Sequence, residues 1–506
     1  MSQTAVPRVS DSLLAALQGE PERVAVIDQH GSTAYRALAD RAGRVHDLLI
    51  GMVGRRLHGE VVAVPVENTA SFVGDMLGIM AAGGTHLPIR IEDDSARERL
   101  RDRAGRWHLL TESSELAKTA RSWTDGVIIN PASDEQGSAG LVVEEDGAAS
   151  GQPSGRILET SGTSGPPKWV HWHEFTLLAD RLEWVKVLGL GPGDVALSIH
   201  PLDVAHAVDV HVLPMLLCGG TVVIAPMGAS VADAVDLVLA HGVTYMSALP
   251  AQLDAMADVA ALRGIEGVDS MRLVLTGGAP LTQTTVTNVR EKLGWRLRRL
   301  YGATECGIMC ADLSDRDQDE PALRPLEGVV VELRPIDHLP KDGTGLIPSG
   351  SLDVGEAWIR REHSALGYWG EPLRTAAAFP ADGWYRTGDA LRRVAPDTYA
   401  VLGRTTDVWM DNHRVLSGPE VAAAIQVLQG VREVVVFRPQ DDCGSDVFAV
   451  LEPDASVGVL EEQIQGVLSR LALSGRVWLA NAWPRTVVGK PERRGLEAWA
   501  RIPHKG

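Results

Sequence analysis

Residues 160–168 read Thr-Ser-Gly-Thr-Ser-Gly-Pro-Pro-Lys, and this run decides how the rest of the chain is interpreted. Its hydroxyl groups and small residues can converge on an anion, and Lys168 adds a positive charge. That combination is typical of a loop that binds a polyphosphate. The run is not a Walker A loop, because it lacks the Gly-x-x-x-x-Gly-Lys-Ser/Thr spacing. Alone, it is also compatible with a flexible surface turn, so the surrounding segments have to settle its meaning.

The size and composition of the chain indicate a globular protein with two or more domains. It has 506 residues, of which 45% are apolar and 23% are charged. The net charge of −18 argues against binding nucleic acid or an anionic membrane through bulk charge. The first 18 residues do not have the pattern of a signal peptide. The most apolar long stretch, 204–227, contains charged residues and a proline, so we expect no membrane span.

The cysteines indicate a reducing environment. Four cysteines in a chain of this length do not make a disulfide framework, and we expect a cytoplasmic protein. Cys306 and Cys310 have no second Cys/His pair at a suitable spacing nearby, so we do not expect them to bind a metal.

Strand and helix patterns predict an α/β fold. Residues 10–60 suggest a mainly helical region, and the order strand 61–66, helix 70–82, strand 86–89 suggests a parallel sheet covered by helices. Residues 133–156 suggest a mobile acidic loop. A second α/β layer is predicted from strands at 195–199, 221–224, 243–247 and 273–276.

The last third of the chain changes character twice. Residues 326–400 carry short alternating runs and turn pairs, which predict a small β-rich subdomain. From about residue 404 onward the pattern predicts a compact α+β unit of typical domain size. Its predicted elements are a helix at 421–428, strands at 433–437 and 447–451, and a helix at 459–473.

Five further motifs come after the opening run in a fixed order. They are Thr-Gly-Gly-Ala-Pro at 276–280, Tyr-Gly-Ala-Thr-Glu at 301–305, Trp-Tyr-Arg-Thr-Gly-Asp at 384–389, Gly-Arg-Thr-Thr-Asp at 403–407 and Pro-Arg-Thr-Val-Val-Gly-Lys at 484–490. Together they resemble the adenylate-forming superfamily, which includes acyl-CoA synthetases, adenylation domains of nonribosomal peptide synthetases and stand-alone amide synthetases. The resemblance runs from about residue 20 to the C-terminus. It implies an ATP- and Mg²⁺-dependent enzyme that joins a carboxylic acid to AMP and releases pyrophosphate.

The resemblance also implies roles for individual residues. Glu305 matches the carboxylate that holds Mg²⁺, a cation that prefers oxygen ligands, and Thr304 can add a hydroxyl to a phosphate. Lys490 matches the catalytic lysine that bridges the carboxylate and the α-phosphate. The residues expected to hold the β- and γ-phosphates are Thr160, Ser161, Gly162, Thr163, Ser164 and Lys168.

The nucleoside of ATP has its own expected contacts. Tyr301 can stack on adenine, and Gly278 and Ala279 let the backbone approach the base. Asp389 matches the acid that accepts hydrogen bonds from both ribose hydroxyls, because two adjacent carboxylate oxygens suit a vicinal diol. Arg404 would reinforce the contact with the ribose or the phosphate.

Two departures from the family pattern concern the exit of the phosphate loop, which leaves the phosphate donors unaltered, and the acceptor side. Where the family usually has Lys-Gly-Val after the phosphate loop, this chain has Lys168-Trp169-Val170. His413 stands where the family usually has a glycine beside the pantetheine arm of CoA or of a carrier protein. An imidazole there could block a thiol or act as a base toward an amine, although an inconsequential surface histidine is also possible.

The acid pocket departs as well. The aspartate that holds the α-amino group in amino-acid adenylation domains falls near His206, so it is missing unless Asp203 or Asp209 replaces it. The stretch is too polar for a simple fatty-acid tunnel, which favours a small aromatic, heteroaromatic or polar acid. Further candidates for the pocket walls are Ser247, Gly277, Cys306 and Met309.

The sequence therefore predicts a large N-terminal domain of layered α/β sheets with a β-rich subdomain (1–402), a hinge (403–407) and a small mobile C-terminal α+β domain (408–506). His413 favours an amine as the acyl acceptor. A close alternative is transfer to CoA or to a carrier protein, which would be a separate chain because this one ends soon after Lys490. A non-catalytic nucleotide-binding regulator on the same fold is the rival from another class, and a Rossmann dehydrogenase is disfavoured by the lack of its glycine fingerprint.

Overall fold

The structure is a computed structural model. It describes residues 19–103, 107–120, 128–129, 153–160, 167–265, 267–279, 281–314, 322–339, 354–411, 414–437, 445–451, 455–471, 473, 475–480 and 496. Among the helices of these ranges, none is both long enough and apolar enough to cross a membrane.

The described residues form the following strands, in chain order: β1 Val24–Asp28, β2 Gly31–Ala34, β3 Val61–Pro65, β4 Thr85–Ile89, β5 Trp107–Leu110, β6 Ile128–Ile129, β7 Gly155–Glu159, β8 Trp169–His173, β9 Val195–Ser198, β10 Thr221–Ile224, β11 Tyr245–Ala248, β12 Leu273–Thr276, β13 Leu297–Ala303, β14 Gly307–Asp312, β15 Arg324–Pro325, β16 Val330–Arg334, β17 Val354–Arg360, β18 Gly367–Tyr368, β19 Trp384–Ala395, β20 Thr398–Arg404, β21 Val408–Asp411, β22 Arg414–Ser417, β23 Val431–Phe437, β24 Ser445–Leu451 and β25 Gly475–Ala480.

The helices are α1 Tyr35–Val53, α2 Ala70–Ala81, α3 Asp94–Arg103, α4 Ser114–Ala120, α5 Glu174–Leu188, α6 Ala205–Ala207, α7 Leu213–Cys218, α8 Val231–His241, α9 Pro250–Leu262, α10 Gln283–Leu293, α11 Pro372–Ala378, α12 Gly418–Gln426 and α13 Val457–Arg470. A π-helical turn, Val208–Val212, joins α6 to α7, and a 3₁₀ turn, Thr405–Asp407, comes after β20.

Two large sheets form the first part of the protein. One has nine strands in the order β15-β14-β13-β12-β11-β9-β10-β1-β2, and the other has seven in the order β18-β8-β7-β4-β3-β5-β6. The six strands from β13 to β1 are parallel. The largest apolar core joins strands of both sheets with helices α1, α2, α5 and α7. The predicted layered α/β fold is therefore confirmed.

Three smaller sheets come later in the chain, and the smallest is the antiparallel pair of β21 and β22. Strands β16, β17, β19 and β20 form a four-stranded antiparallel sheet, which agrees with the β-rich subdomain predicted for residues 326–400. Strands β23, β24 and β25 form a three-stranded sheet, and helices α12 and α13 contribute to the apolar core beside it. The three-stranded sheet and these two helices correspond to the predicted α+β unit.

One local prediction was wrong. The region 10–60 is not mainly helical over its described part, because β1 and β2 precede α1. Strand β1 joins the large sheet through β10, with Val26 opposite Val222, and a pairing across almost 200 residues is not visible in local periodicity. The predicted loop 133–156 ends inside strand β7, and most of it lies outside the described residues.

The parallel arrangement places several candidate residues at one edge. The carboxyl ends of parallel strands meet at the same edge of a sheet, which is where open α/β sheets bind ligands. Ser247 lies in β11, Gly277 and Gly278 come directly after β12, and Tyr301 lies near the end of β13. The fold thus brings together motifs that are far apart in the sequence.

Candidate active site

The ends of the phosphate-binding run are held together by main-chain pairing. Strands β7 and β8 are antiparallel, and the Thr160 amide donates to the Lys168 carbonyl across 2.8 Å. The residues between them that were predicted to bind phosphate, namely Ser161, Gly162, Thr163 and Ser164, lie outside the described residues. Their roles remain predictions.

Lys168 and Glu305 meet at a third residue, Tyr368. The Tyr368 hydroxyl donates to Glu305 Oε1 across 2.9 Å, and Lys168 Nζ lies 3.4 Å from the same hydroxyl and 4.9 Å from the centre of the Tyr368 ring. Burial lowers the pKa of Lys168, while the charge of Glu305 opposes this shift. The Lys168 amine and the Glu305 carboxylate therefore both contact the Tyr368 hydroxyl, which lies between them. The sequence analysis did not single out Tyr368.

A second set joins Tyr301, Asp389 and Arg404. The Tyr301 hydroxyl donates to Asp389 Oδ2 across 2.8 Å, and Arg404 Nη1 lies 3.3 Å from Asp389 Oδ1. Asp389 and Arg404 are direct partners in the β19–β20 ladder. Burial alone would lower the pKa of Arg404, but Asp389 and, more weakly, Glu305 raise it above its usual value. Charges of the first set therefore influence the second, since Glu305 acts on Arg404 and Arg404 in turn acts on Lys168.

The structure gives Tyr301 a contact that the sequence did not predict. Its ring packs in an apolar core cluster and only 7% of the residue is exposed. Its polar role is to orient Asp389 through the hydroxyl. Little of the Tyr301 ring surface is therefore available for the predicted stacking on adenine.

The turn after β12 is open where a base is expected to approach. Gly278 and Ala279 are exposed, and Gly278 has φ +74°, in the left-handed region that favours glycine. Gly277 is buried, and a Cβ there would lie 2.6 Å from the Leu300 carbonyl oxygen. Gly277 therefore serves close packing of β12 against β13 and is not a pocket wall in the sense predicted.

Thr304 and Glu305 form a turn between β13 and β14. The Thr304 carbonyl accepts a hydrogen bond from the buried indole of Trp172 across 2.7 Å, which anchors the turn to β8. Glu305 is 7% exposed. No group of three or more potential metal ligands occurs among the described residues. One carboxylate completed by substrate phosphates and water is a common way to bind Mg²⁺ in nucleotide enzymes, so Glu305 fits the cation.

Three histidines stand in a row at the predicted acid pocket. His206 lies between His200, at 4.6 Å between ring centres, and His211, at 5.8 Å and nearly parallel to it. His206 Nε2 lies 2.7 Å from Ser247 Oγ. This confirms only that His206 and Ser247 are neighbours; their contact with a substrate stays a prediction.

His211 is held in one neutral tautomer. Its Nε2 accepts from the Ser247 amide across 2.9 Å, so its Nδ1 carries the proton and donates to the His206 carbonyl across 3.1 Å. Burial lowers the pKa of His211 to about 3. The His211 ring is therefore polar but uncharged at neutral pH.

The two candidate aspartates are both paired with arginine. Asp203 makes a bidentate pair with Arg90, at 2.6 and 3.1 Å. Asp209 lies in the π-helical turn between Arg156 and Arg181, and the Arg181 Nη2 to Asp209 Oδ2 distance is 2.9 Å. Burial would raise the pKa of Asp209, but the two guanidinium groups hold it below its usual range. Neither carboxylate is left open for a substrate amine.

The remaining candidates divide into two groups. Cys306 and Met309 have no exposed surface and pack in the core cluster of Tyr301, so both are core residues and not pocket walls. Lys490 and His413 lie outside the described residues, and their roles stay predictions.

Comparison with known proteins agrees with this arrangement. The family model described as "AMP-binding enzyme" matches residues 13–369. The chain belongs to the AMP-binding enzymes. This confirms the resemblance to the adenylate-forming superfamily that the six motifs indicated, and an AMP-forming ligase is the class of enzyme that the family represents.

The similar proteins include both a synthase and CoA ligases. The chain is 29% identical to the phenyloxazoline synthase MbtB of Mycobacterium sp. (strain MCS), over 94% of this chain and 41% of that protein. It is 26% identical to the mouse mitochondrial malonate–CoA ligase ACSF3, over 94% of this chain and 88% of that one. The anthranilate CoA ligase AuaEII, solved with anthranoyl-AMP, shares the fold with a TM-score of 0.81 and 21% identity, over 99% of both chains. The chain spans less than half the length of several curated relatives that it matches, including MbtB.

Three site residues were missed by sequence reasoning. Tyr368 occurs in a Gly-Tyr-Trp run that by itself does not indicate a functional site. His200 and His211 lie in the histidine-rich stretch 200–211, and that clustering was the signal that could have found them. Helical periodicity could not group His211 with His206, because the turn that carries His211 is π-helical.

Proposed function

We propose that the protein is an ATP- and Mg²⁺-dependent carboxylic acid ligase that forms acyl-AMP and then transfers the acyl group to an amine. The observation that carries this proposal is the joining of two motif sets in one place. Lys168, Tyr368 and Glu305 form a phosphate- and cation-binding end, while Asp389 and Arg404 form a diol-binding end.

The first half-reaction places two anions together. The substrate carboxylate attacks the α-phosphorus of ATP, an O–P bond forms, and the bond to pyrophosphate breaks. Charge repulsion opposes this attack, so positive groups around the phosphates lower the barrier. Lys168 and the hydroxyl of Thr160 would hold the terminal phosphates. Glu305 would hold Mg²⁺, which when bound neutralises phosphate charge.

The second half-reaction needs a different arrangement. Residues 408–506 would rotate about the hinge 403–407, which carries Lys490 away and admits the acceptor. The 3₁₀ turn at Thr405–Asp407 is short and lies between strands, which suits a segment that absorbs backbone rotation. The few cysteines of the chain support a cytoplasmic setting for this reaction.

The acid is proposed to be small, polar and preferably aromatic. His206 and Ser247 offer a hydrogen-bonding edge, and His200 offers a further ring beside it. The uncharged state of His211 and the pairing of Asp203 and Asp209 leave no free carboxylate for an ammonium group among the described candidates. Amino acids activated through their α-amino group are therefore disfavoured.

The experiment that tests the proposal is acid-dependent exchange of labelled pyrophosphate into ATP. Aryl, heteroaryl, alkyl and amino acids are compared, with Lys490→Ala beside the wild type. We expect exchange with polar aromatic acids and its loss in Lys490→Ala. Tight ATP binding without exchange for any acid would instead support a nucleotide-binding regulator.

The acceptor is tested by His413→Gly. If the imidazole excludes a pantetheine thiol, the variant gains CoA-dependent turnover of an acid that the wild type adenylates, while wild-type turnover depends on an added amine. Product analysis by mass spectrometry separates amide from thioester. Wild-type turnover with CoA would favour the alternative, an acyl-CoA ligase or an enzyme that loads a carrier protein, and no gain in the variant would refute the thiol-exclusion idea.

A further inference from the structure

A group of large side chains surrounds the residue directly after Lys168. Trp169 is 2% exposed, and its indole Nε1–H donates to Glu159 Oε2 across 2.9 Å. Glu159 is the last residue of β7 and Trp169 is the first of β8. One side-chain hydrogen bond therefore ties the two strand ends that flank the phosphate-binding run.

Helix α3 adds two guanidinium groups to this contact. Arg99 Nη2 lies 2.7 Å from Glu159 Oε2, and its guanidinium carbon lies 5.4 Å from the centre of the Trp169 ring. Arg103 lies 5.5 Å from the same ring and pairs with Glu371 across 3.0 Å. Both arginines are within the range of a cation–π interaction. Trp169 is thus held through its ring as well as its N–H.

Trp369 holds Trp169 from the other side. The Trp369 amide donates to the Trp169 carbonyl across 2.7 Å, and the two rings are 5.6 Å apart. Its neighbour Tyr368 contacts Lys168 and Glu305. Strand β18 therefore ends with Tyr368 at the proposed phosphate-binding end, and the turn that begins at Trp369 contacts Trp169.

We propose that Trp169 is a positioning residue for Lys168 and, through it, for the terminal phosphates of ATP. This inference rests on the proposed function. A lysine side chain is flexible, so binding a phosphate with it costs ordering entropy unless the surroundings limit its freedom. Trp169 fixes the backbone on the C-terminal side of Lys168 to Glu159, and Trp369 brings Tyr368 beside the Lys168 amine. The resemblance implies a glycine at the Trp169 position, and a glycine could not make these side-chain contacts.

The test compares ATP with AMP, because AMP lacks the phosphates that Lys168 would contact. Trp169→Phe keeps an aromatic ring but removes the indole N–H. We expect its dissociation constant for ATP with Mg²⁺ to rise by up to about tenfold, the effect of having to immobilise one flexible side chain on binding. The constant for AMP is expected to change by less than about twofold, since AMP does not reach the altered residues. Titration calorimetry on the full chain measures both.

Glu159→Ala is a second variant. The Glu159 position should tolerate substitution better than the Trp169 position, because the Glu159 side chain is 37% exposed. Glu159→Ala removes the indole acceptor and the partner of Arg99, and it should also weaken ATP selectively. Trp295→Phe is the matched control: Trp295 is buried in a different core cluster, beside helices α9 and α10. It should leave both constants unchanged.

A double-variant cycle with Lys168→Ala decides whether Trp169 acts through Lys168. In that background, Trp169→Phe should cause no further loss of ATP affinity. Equal weakening of ATP and AMP, or full additivity with Lys168→Ala, would overturn the inference and leave Trp169 a general packing residue. A wild-type protein that binds ATP no better than AMP would refute the proposed phosphate site itself, which is a separate result.

Discussion

Glu305→Gln is expected to reduce acid-dependent pyrophosphate exchange by at least about 100-fold, because loss of even an outer partner of a metal ligand costs 10–100-fold. Glutamine keeps the size of the side chain and an oxygen that can accept from the Tyr368 hydroxyl. It removes the negative charge that would hold Mg²⁺ beside Lys168. The substitution therefore separates charge from packing.

A second readout does not depend on turnover. In the wild type, Mg²⁺ should strengthen ATP binding, and in Glu305→Gln this dependence should be largely lost while AMP affinity is retained. Glu356→Gln is the matched control, because Glu356 is also buried and pairs with Arg386 across 2.7 Å. It can cost stability but should keep the Mg²⁺ dependence of ATP binding. An unchanged Mg²⁺ dependence in Glu305→Gln would exclude Glu305 as the metal ligand.

Asp209→Asn is expected to produce a large loss of stability, about 3–5 kcal/mol in the free energy of unfolding. The Asp209 carboxylate lies between Arg156 and Arg181, and all three groups are buried. The neutral amide removes the negative charge that Arg156 and Arg181 share, and it leaves Arg181 with Asp180 as its remaining carboxylate partner. Thermal and denaturant unfolding of the full chain measure the effect.

The matched control is Asp446→Asn, which changes a bidentate pair with Arg476 at 2.6 and 2.8 Å on a more exposed surface. Pairs of this kind contribute about 0–1 kcal/mol. If both variants lose equally little stability, Asp209 does not act as the anchor of a buried ionic group. A stable Asp209→Asn protein with an altered preference for its acid substrate would instead support the predicted role of Asp209 in the acid pocket.

The ionic contacts around Asp209 continue to the turn that carries Glu305. Arg181 pairs with Asp180, Arg361 pairs with Asp180 and Glu183, and Arg361 Nη1 donates to the carbonyls of Cys306 and Ile308 at 2.8 and 2.9 Å. These contacts connect the π-helical turn, helix α5 and the turn that carries Glu305. Asp209 thus belongs to an ionic network that connects the π-helical turn to the turn carrying Glu305.

Much of the fold was predictable from local sequence. Strand β10 and strand β12 were predicted with the bounds they have, and helix α2 within one residue, because buried strands and helices leave clear patterns of apolar residues. Strands β1 and β2 were not predicted, since β1 is specified by pairing with β10. The Lys-Trp-Val departure was visible, but the role of its tryptophan was not.

The sequence by itself determined the family, the order of the motifs and the identity of Lys168, Glu305, Asp389 and Arg404 as candidates, because these depend on residue types at fixed spacings. Only the tertiary structure decided which groups touch. It made Tyr368 the link between Lys168 and Glu305, turned Tyr301 from a stacking surface into a hydrogen-bond donor, and assigned Asp209 to two arginines. The reason is physical: partners that lie between 28 and 200 residues apart meet only through sheet register and packing, and burial then fixes whether a polar side chain serves a ligand or its own neighbours.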